Sequence, residues 1–443
     1  MRSEIARLHA RYLSGTLSPV AVTERHLAAA HGLGQTLNAF TQVLDGPARA
    51  AASQSAQRYA AGEPLSLLDG VPISVKDLMH VAGTPTTCGS KASDPRPAAG
   101  DATVVARLRA LGAIVFAKCN LLEYAYGVVH PDFGPARNPW NLEHSPGGSS
   151  SGSAAAVAAG IGFASIGTDT AGSVRGPAAL CGVVGLKPTL GALSTDGVIP
   201  LAPSLDHVGV LARTVEDTRI VFEALSDRSS RTEGTRPLRV GLARLDGAEL
   251  EVERAVDDTV ARLRAEGVEV VDVEPLPWRV ANAAAYVLLY AEALEVHGSR
   301  LAPRWHGYSP AIRARLLAGG VVSGADYVRA KRLQTDLRAM WDAALERDGL
   351  DAMVSATTPA PAPRQNAARP AGPSQTGMYT SPYALCGVPA VSVPVALGEA
   401  GLPIGLQIAA GEARYGVVLD LADRAMRDPW PRPPHFADPF GEA

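Results

Sequence analysis

Short apolar runs alternate with longer stretches of helical spacing, and this alternation limits the fold more than any other feature of the chain. The clearest unit places a helix near 249–266 between strands at 238–242 and 268–273. An earlier helix is predicted from Asp101, as its N-cap, to about Leu111, and a strand follows it. Helices and strands in this order predict an α/β fold. The other predicted helices lie at 3–30, 46–61, 281–296 and 324–347, and the other predicted strands at 71–75, 113–117, 390–395 and 404–408.

The composition is that of a folded protein without a surplus of charge. Of the 443 residues, 47% are hydrophobic and 19% are charged, and the formal net charge is −3. These values exclude disorder across the whole chain, and they give no broad basic field for nucleic acid or an anionic membrane. No signal peptide and no run of about 20 apolar residues is recognisable. We therefore expect a cytoplasmic protein that acts on a small molecule.

The cysteines and the common cofactor motifs give no sign of a bound group. The four cysteines are far apart and form no CxxC pair, so buried thiols are expected rather than a zinc site or disulfides. The HExxH, GxxxxGK[ST] and GxGxxG motifs do not occur. We expect neither a metal nor a nucleotide cofactor. The cysteines are Cys88, Cys119, Cys181 and Cys386.

Two segments have the composition of loops. Residues 226–237 are polar, and residues 357–377 are rich in Pro, Ala and Gly. The second segment could serve as a lid over a site, but a mobile surface loop is the favoured interpretation.

The run PGGSSSGSAAAVAAG at 146–160 has two opposite interpretations. Gly and Ser in succession are typical of a flexible linker. However, an Ala- and Val-rich stretch of high helix propensity begins at Ala154, so the glycines and serines lie where a helix should begin. The free N–H groups there favour anions or developing negative charge. We therefore interpret the run as part of an active site.

One hypothesis for this run is a nucleophile elbow, because residues 148–152 match GxSxG with Ser150 in the middle. An elbow needs an apolar strand directly before it, and NPWNLEHSP at 138–146 cannot form one. The HGGG motif that accompanies many elbows is also missing, and His207 is the only tempting base. These observations disfavour a Ser-His-Asp hydrolase.

A second element rich in small residues, GTDTAGSVRGP at 167–177, places Ser173 on a tight turn between a predicted strand and a helix. The small residues before Ser173 would let a carbonyl oxygen approach four consecutive main-chain N–H groups. This is the construction of an oxyanion hole. The four donors are Thr170, Ala171, Gly172 and Ser173.

A serine nucleophile needs a base, and neither element contains a histidine. Lys76 follows the predicted strand 71–75 in GVPISVKD, where desolvation would favour its neutral amine. A lysine at the end of a strand is more often a solvated surface charge. Its assignment as a base therefore depends on the other two elements.

Together the three elements resemble the amidase signature family, serine amidohydrolases with a Ser-Ser-Lys triad. Lys76, the serines of the 146–160 run and Ser173 occur in the family's order and with its spacing. Flanking runs agree with the resemblance: LNAF at 37–40, RNPW at 137–140, SLD at 204–206 and GLQ at 405–407.

The resemblance implies a single α/β/α domain over residues 1–443, with a central mixed sheet covered by helices on both faces and a core motif region at about 66–211. It implies that Ser173 is the acylating nucleophile and Lys76 the base that starts neutral. Ser149, after a cis peptide bond, would be the bridging serine that relays a proton. It also implies that no metal or organic cofactor is needed, and that a homodimer is the expected oligomer.

Residues around the triad are expected to support it. Asp169 and Arg175 resemble the pair that braces the nucleophile loop. Ser150 either joins the network through hydrogen bonds or caps the following helix. Two departures from the family pattern are Ser151, where a glycine pair usually begins, and Ala171, which replaces a glycine. Ala171 would distort the oxyanion turn only if its position required a positive φ.

The sequence leaves the amide itself open among aromatic, aliphatic and urea-like small molecules. Gly176 beside the nucleophile loop would suit a roomy acyl pocket, or it only eases the turn before the following proline. Tyr124 and Tyr126, in NLLEYAYG, either line that pocket or pack in the core.

The same family includes the glutamine-cleaving component of the tRNA-dependent amidotransferase, which releases ammonia from glutamine for a partner. Cys88 in TTCGSK and the SLD run at 204–206 resemble that component. Gly176 stands where it usually has glutamine, and Val210 where it has proline, so a free-standing amidase is the main interpretation. A third, an inactive binding module, is disfavoured because all three triad positions carry the required residue types.

Overall fold

A computed structural model of the chain describes residues 3–226, 228, 230, 238–365 and 375–441. Within these residues one mixed sheet of eleven strands runs through the molecule, in the order β1-β3-β2-β4-β6-β5-β10-β11-β9-β7-β8. The strands are β1 (Phe40–Val43), β2 (Pro72–Lys76), β3 (Ile114–Cys119), β4 (Ala164–Asp169), β5 (Val184–Lys187), β6 (His207–Ala212), β7 (Arg239–Ala243), β8 (Glu269–Val273), β9 (Ala352–Ala356), β10 (Ala390–Leu397) and β11 (Pro403–Ala410).

Fourteen α-helices accompany the sheet in the described ranges. They are α1 (Glu4–Leu13), α2 (Pro19–His31), α3 (Leu33–Thr36), α4 (Asp45–Ala61), α5 (Thr103–Ala110), α6 (Ser151–Ala158), α7 (Arg175–Cys181), α8 (Val215–Ser226), α9 (Leu250–Ala265), α10 (Trp278–Leu301), α11 (Pro310–Gly319), α12 (Gly324–Arg347), α13 (Gln375–Leu385) and α14 (Tyr415–Ala425).

Helices cover both faces of the sheet, as the alternation of side chains along single strands shows. On β9, Val354 packs with one hydrophobic cluster, to which α8, α9 and α14 contribute, while its neighbour Met353 packs with a second cluster built from α10 and α12. Successive residues of a strand point to opposite faces, so the two clusters lie on opposite sides of the sheet. The α/β fold with a mixed central sheet is therefore confirmed.

Two of the predicted helices begin or end differently in the structure. The helical spacing at 3–30 corresponds to two helices, since the chain turns at 14–18 and α2 begins again at Pro19 with Ser18 as its N-cap. Asp101 is not an N-cap: Ala102 holds that position, and the Asp101 carboxylate pairs with Arg109 instead. Both differences come from tertiary contacts or turns that local spacing does not encode.

The two predicted loops are only partly described. Most of 226–237 lies outside the described residues, as do residues 366–374 of the Pro-rich segment. The start of that segment is not a surface loop, because Thr357 is fully buried and its main-chain N–H donates to the Gly405 carbonyl at 2.9 Å. Its end, from Gln375, belongs to α13. The four cysteines are buried and form no disulfide, as expected.

Candidate active site

The three sequence elements meet at one edge of the sheet. Strands β2 and β4 are parallel neighbours, and their carboxyl ends carry Lys76 and Asp169. Strand β6 runs antiparallel to β4 and pairs its first residue, His207, with Asp169. The turn with Ser173 connects β4 to α7, and the segment with Ser149 leads into α6. Topology therefore brings residues about a hundred positions apart to one place.

The run at 146–160 is a buried helix start and not a linker. All eight residues of α6 are buried, and a Cβ on Gly152 would collide with the Ala39 carbonyl oxygen. Only small side chains fit at such separations, which explains the composition of the run.

The amine of Lys76 is fully buried and hydrogen-bonded within the site. Its Nζ donates to Ser149 Oγ at 2.7 Å and to Thr168 Oγ1 at 2.7 Å. The Gly148–Ser149 peptide bond is cis, as the family resemblance implied. Burial lowers the pKa of Lys76 to about 7, although the carboxylates of Asp169 and Asp206 act in the opposite direction. A neutral amine is thus accessible near neutral pH.

Ser173 is half-buried and lies against the second serine of the helix start. The main-chain N–H of Ser150 donates to the Ser173 carbonyl at 3.1 Å. The Ser173 hydroxyl makes no hydrogen bond to another described residue. The Ser150 side chain donates to the Thr168 carbonyl at 3.2 Å and forms no capping bond to α6. Of the two roles expected for Ser150, helix capping and a hydrogen bond within the network, the structure shows the second. This contact also leaves Ser150 without the histidine partner that an elbow mechanism requires.

His207 is unsuited to serve as a general base. Its Nδ1 faces the carbonyl oxygens of Leu205 at 2.6 Å and Asp169 at 3.1 Å. Burial, reinforced by the charge of Lys187, holds the pKa of His207 well below its ordinary value. The ring is therefore a neutral structural group.

In the turn before Ser173, the residue with a positive φ is Gly172, at 124°. Ala171 does not have a positive φ, so its Cβ causes no backbone conflict. The N–H of Gly172 donates to Asp169 Oδ1 at 2.7 Å, which engages one of the four expected oxyanion donors. The N–H groups of Thr170, Ala171 and Ser173 remain as candidate donors.

The turn is also held from the far end of the chain. Thr380, on α13, donates its hydroxyl to the Ala171 carbonyl at 2.6 Å. Since the Gly172 N–H is fixed by Asp169, both polar groups of the peptide between Ala171 and Gly172 have partners. This peptide cannot rotate without breaking two hydrogen bonds, one buried and one partly buried.

Asp169 and Arg175 form a bidentate ion pair with no solvent exposure. Arg175 Nη2 and Nε donate to the two Asp169 oxygens, each at 2.9 Å. Arg175 Nη1 reaches the Thr380 carbonyl at 2.8 Å and Gln407 Oε1 at 2.7 Å. Burial acts to raise the pKa of Asp169, but the charge and hydrogen bonds of Arg175 outweigh it and hold this pKa below its ordinary value. The pair therefore ties the nucleophile turn to α13 and β11.

A cavity of about 220 Å³ lies beside the start of the oxyanion turn. Thr168 and Thr170 reach it from the turn, and its other walls are mostly apolar. The lining residues are Leu78, Ala125, Thr168, Thr170, Thr195, Val198, Ile199, Pro200, Leu201, Pro203, Asp206 and His207.

The residues expected around the substrate do not line this cavity. Tyr124 is buried against His297 and Tyr308, with ring centroids 4.5 and 5.5 Å away, while Tyr126 packs near Tyr290. Gly176 is buried in α7. The structure places both tyrosines in the core, which was the second of the two interpretations given for them.

Sequence reasoning missed Thr168, Thr380 and Gln407, and it did not assign a role to Asp206. Thr168 could have been found from its place one residue before Asp169 at the end of a strand. Gln407 and Asp206 lie in the GLQ and SLD runs, which do not show what these residues contact, and Thr380 comes from a distant segment with no motif of its own. In the described part of the chain, no three residues among His, Cys, Asp and Glu are grouped to hold a metal ion. None of the described helices has the length and apolar character of a membrane span.

Comparison with known proteins identifies the family of the chain. The sequence pattern of the Amidase family matches residues 21–415. Among curated relatives, the A-type subunit of glutamyl-tRNA(Gln) amidotransferase from Anaeromyxobacter dehalogenans is 37% identical over 94% of this chain and 95% of its own length. Its counterpart from Geobacter metallireducens is 35% identical over 91% of this chain and 92% of its own length.

Solved structures give the same family. A crystal structure described only as an amidase superposes with a TM-score of 0.88 at 36% identity, covering 94% of this chain and 98% of that one. The peptide amidase of Stenotrophomonas maltophilia superposes with a TM-score of 0.85 at 29% identity, covering 98% and 99% of the two chains. The chain belongs to the amidase family, whose signature fold and carbon–nitrogen hydrolase chemistry it shares.

Proposed function

We propose that the chain cleaves a carboxamide through an acyl-enzyme on Ser173 and releases ammonia or an amine. The observation that carries the proposal is the 2.7 Å hydrogen bond from Lys76 to Ser149, made by a buried amine whose pKa is lowered to about 7. Burial also lowers the pKa of Lys187, so the contact with Ser149 is what distinguishes Lys76. A lysine used as a base requires a neutral amine next to the group that gives up the proton.

In the first half of the reaction, the Ser173 hydroxyl attacks the amide carbonyl carbon. Ser149 accepts the Ser173 proton and passes its own to Lys76. The negative charge develops on the carbonyl oxygen, towards the N–H groups of Thr170, Ala171 and Ser173. The Lys76 ammonium then returns a proton through Ser149 to the leaving nitrogen, and the carbon–nitrogen bond breaks.

In the second half, water attacks the acyl-enzyme by the same route. Ser149 takes a proton from the water and relays it to Lys76, and the tetrahedral intermediate collapses with release of the acid. Ser173 recovers its proton from the relay. Every proton in this cycle moves between side chains, substrate and water, so the proposed cycle requires no metal or organic cofactor.

The identity of the amide that is cleaved distinguishes two candidate functions. A free-standing amidase is favoured by Gly176 and Val210, which depart from the pattern of the amidotransferase component. Glutamine cleavage for a partner is favoured by the curated relatives, which are 35% and 37% identical over more than nine-tenths of this chain and carry the name of that component. The comparisons favour the second candidate more strongly than the sequence did. The chemistry at Ser173 is the same in both.

The experiment is an amide panel that includes glutamine, with release of ammonia as the readout. Ser173→Ala and Lys76→Ala should lose activity, while the matched controls Ser53→Ala and Lys91→Ala, at exposed positions outside the triad, should keep it. Activity of the Ser173 and Lys76 variants equal to that of wild type would overturn the assignment.

The same panel separates the two candidates. A free-standing amidase should turn over a simple amide alone and respond weakly to glutamine. A component of an amidotransferase should show little turnover alone and gain glutaminase activity when its partner proteins and acylated tRNA are added.

A further inference from the structure

A second carboxylate, Asp206, contacts the oxyanion turn and has no place in the mechanism described above. It lies immediately before β6, at the sheet edge that carries Lys76 and Asp169, and it forms part of the cavity wall. The Thr170 hydroxyl donates to Asp206 Oδ1 at 2.5 Å.

The other oxygen of Asp206 organises the cavity wall. Oδ2 accepts the main-chain N–H of Leu201 at 2.7 Å and that of Ala202 at 3.0 Å. Both residues are buried, and Leu201 lines the cavity. One carboxylate thus joins the first residue of the oxyanion turn to a segment that lines the cavity.

The donors to Asp206 are all neutral, unlike those to Asp169. Asp169 has the guanidinium of Arg175, whereas no lysine or arginine of the described chain forms an ion pair with Asp206. The charged or titratable groups around it are Lys76 at the end of β2, Asp169 at the end of β4 and His207 at the start of β6. Its negative charge therefore remains available to Lys76, the only one of these groups that gains a proton in the proposed cycle.

We propose that Asp206 is a positioning residue of the active site, which fixes Thr170 at the start of the oxyanion turn and supplies a negative charge, without a cationic partner in the described chain, at the sheet edge that carries Lys76. The inference rests on the proposed function. Burial raises the pKa of Asp206 to about 6, and hydrogen bonds from Thr170 and from the two peptide N–H groups act against this rise. The carboxylate is thus largely ionised above neutral pH.

The first test changes the hydroxyl of Thr170 without touching the charge. Thr170→Val should lower kcat about tenfold, the scale of one hydrogen bond to a charged acceptor, with KM changed less than about twofold. Thr170→Ser keeps the hydroxyl and should recover most of kcat. Thr214→Val, which removes the 2.7 Å bond of another buried threonine to Asp217, is the matched control and should lower thermal stability while kcat stays unchanged.

The second test removes the charge. In Asp206→Asn the ammonium form of Lys76 loses a neighbouring anion, so the pKa of that lysine should fall. The acid limb of the kcat/KM profile should then move to lower pH. A stability effect alone would lower the melting temperature without moving the limb.

The outcomes separate this inference from the proposed function. If Ser173→Ala is inactive but Thr170→Val matches Thr170→Ser in kcat, the positioning role is overturned and the hydrolase stands. If Asp206→Asn leaves the acid limb unmoved, the electrostatic role is overturned. If Asp206→Asn does not fold, the two Thr170 variants still decide the positioning role. Asp206→Glu, which retains the charge but displaces it, then replaces Asp206→Asn in the pH profile. An acid limb shifted from that of wild type supports the electrostatic role, and an unshifted limb overturns it.

Discussion

Lys76 Nζ lies 2.7 Å from Ser149 Oγ, and both side chains are almost completely shielded from water. The contact joins the end of β2 to the segment that leads into α6. The two residues are 73 positions apart in the sequence. A buried amine in this position has a direct consequence for the pH dependence of catalysis.

Activity should rise with pH through about 7, because catalysis needs the neutral form of Lys76 and burial lowers its pKa to about this value. The acid limb of kcat/KM should have a slope of one and level off about one or two pH units higher. Steady-state rates between about pH 5 and 9 in buffers of constant ionic strength provide the measurement. A profile that is flat across this range would contradict the role of the lysine.

The same lysine should leave a signature in folding. Its pKa in the folded chain, about 7, is below the ordinary value of 10.5, so the unfolded chain binds more protons between these pH values. The lysine's penalty on the free energy of unfolding should therefore be largest below pH 7 and be relieved as the pH rises towards 10.5. Denaturant unfolding of wild type and Lys76→Met at several pH values measures it, and a constant difference between the two proteins would count against the lowered pKa.

Thr168 should hold the lysine in its productive position. Thr168→Val removes the hydroxyl that accepts a hydrogen bond from Lys76 at 2.7 Å, and we expect kcat to fall about tenfold. Thr168→Ser keeps an acceptor and should lose much less. A larger loss in Thr168→Ser than in Thr168→Val would show that the threonine methyl group matters, and not the hydroxyl.

Gly172 should tolerate no side chain. A Cβ there would collide with Thr380 Oγ1, and φ of 124° is unfavourable for any L-residue with a Cβ. Gly172→Ala should destabilise the fold by about 2 kcal/mol and abolish turnover. Gly191→Ala, at another positive φ but with open space around it, is the control for backbone strain alone. Calorimetry and ammonia release give both readouts.

Arg175 should be needed for both folding and turnover. Arg175→Met leaves the Asp169 carboxylate buried without its partner, which costs about 3–5 kcal/mol of stability. The matched control is Arg58→Met, which breaks another bidentate pair, with Asp69, and should reduce stability less, because Arg58 is partly exposed. Urea unfolding compares the two. A fully stable Arg175→Met would contradict the bracing role.

The sequence predicted the site wherever a short local motif carries it. Lys76 and Ser149 were found because each lies in a run of characteristic residues, and the fold brings their side chains into contact. Ser150 was ambiguous, since a serine before a helix can cap it or bond elsewhere. Only the packed neighbour, the Thr168 carbonyl, distinguishes the two roles.

What the sequence could not give are contacts made by single residues from distant segments. Thr380 and Gln407 reach the nucleophile turn from more than 200 positions away. Thr380 has no pattern of its own, and the GLQ run does not show that Gln407 contacts Arg175. Asp101 fits the N-cap preference, yet the nearby Arg109 and the main-chain N–H of Ala82 take its carboxylate. Tertiary partners decide such cases, and local propensity does not contain them.

The anchoring of Arg175 to Thr380 and Gln407 has a consequence for biosynthesis. A ribosome completes the triad residues long before it reaches these two, so a nascent chain that ends near residue 365 holds every reactive side chain but lacks the outer supports of its nucleophile. Competence for hydrolysis should therefore appear only when the final strands have entered the sheet, which would keep unfinished chains from attacking amides in the cell.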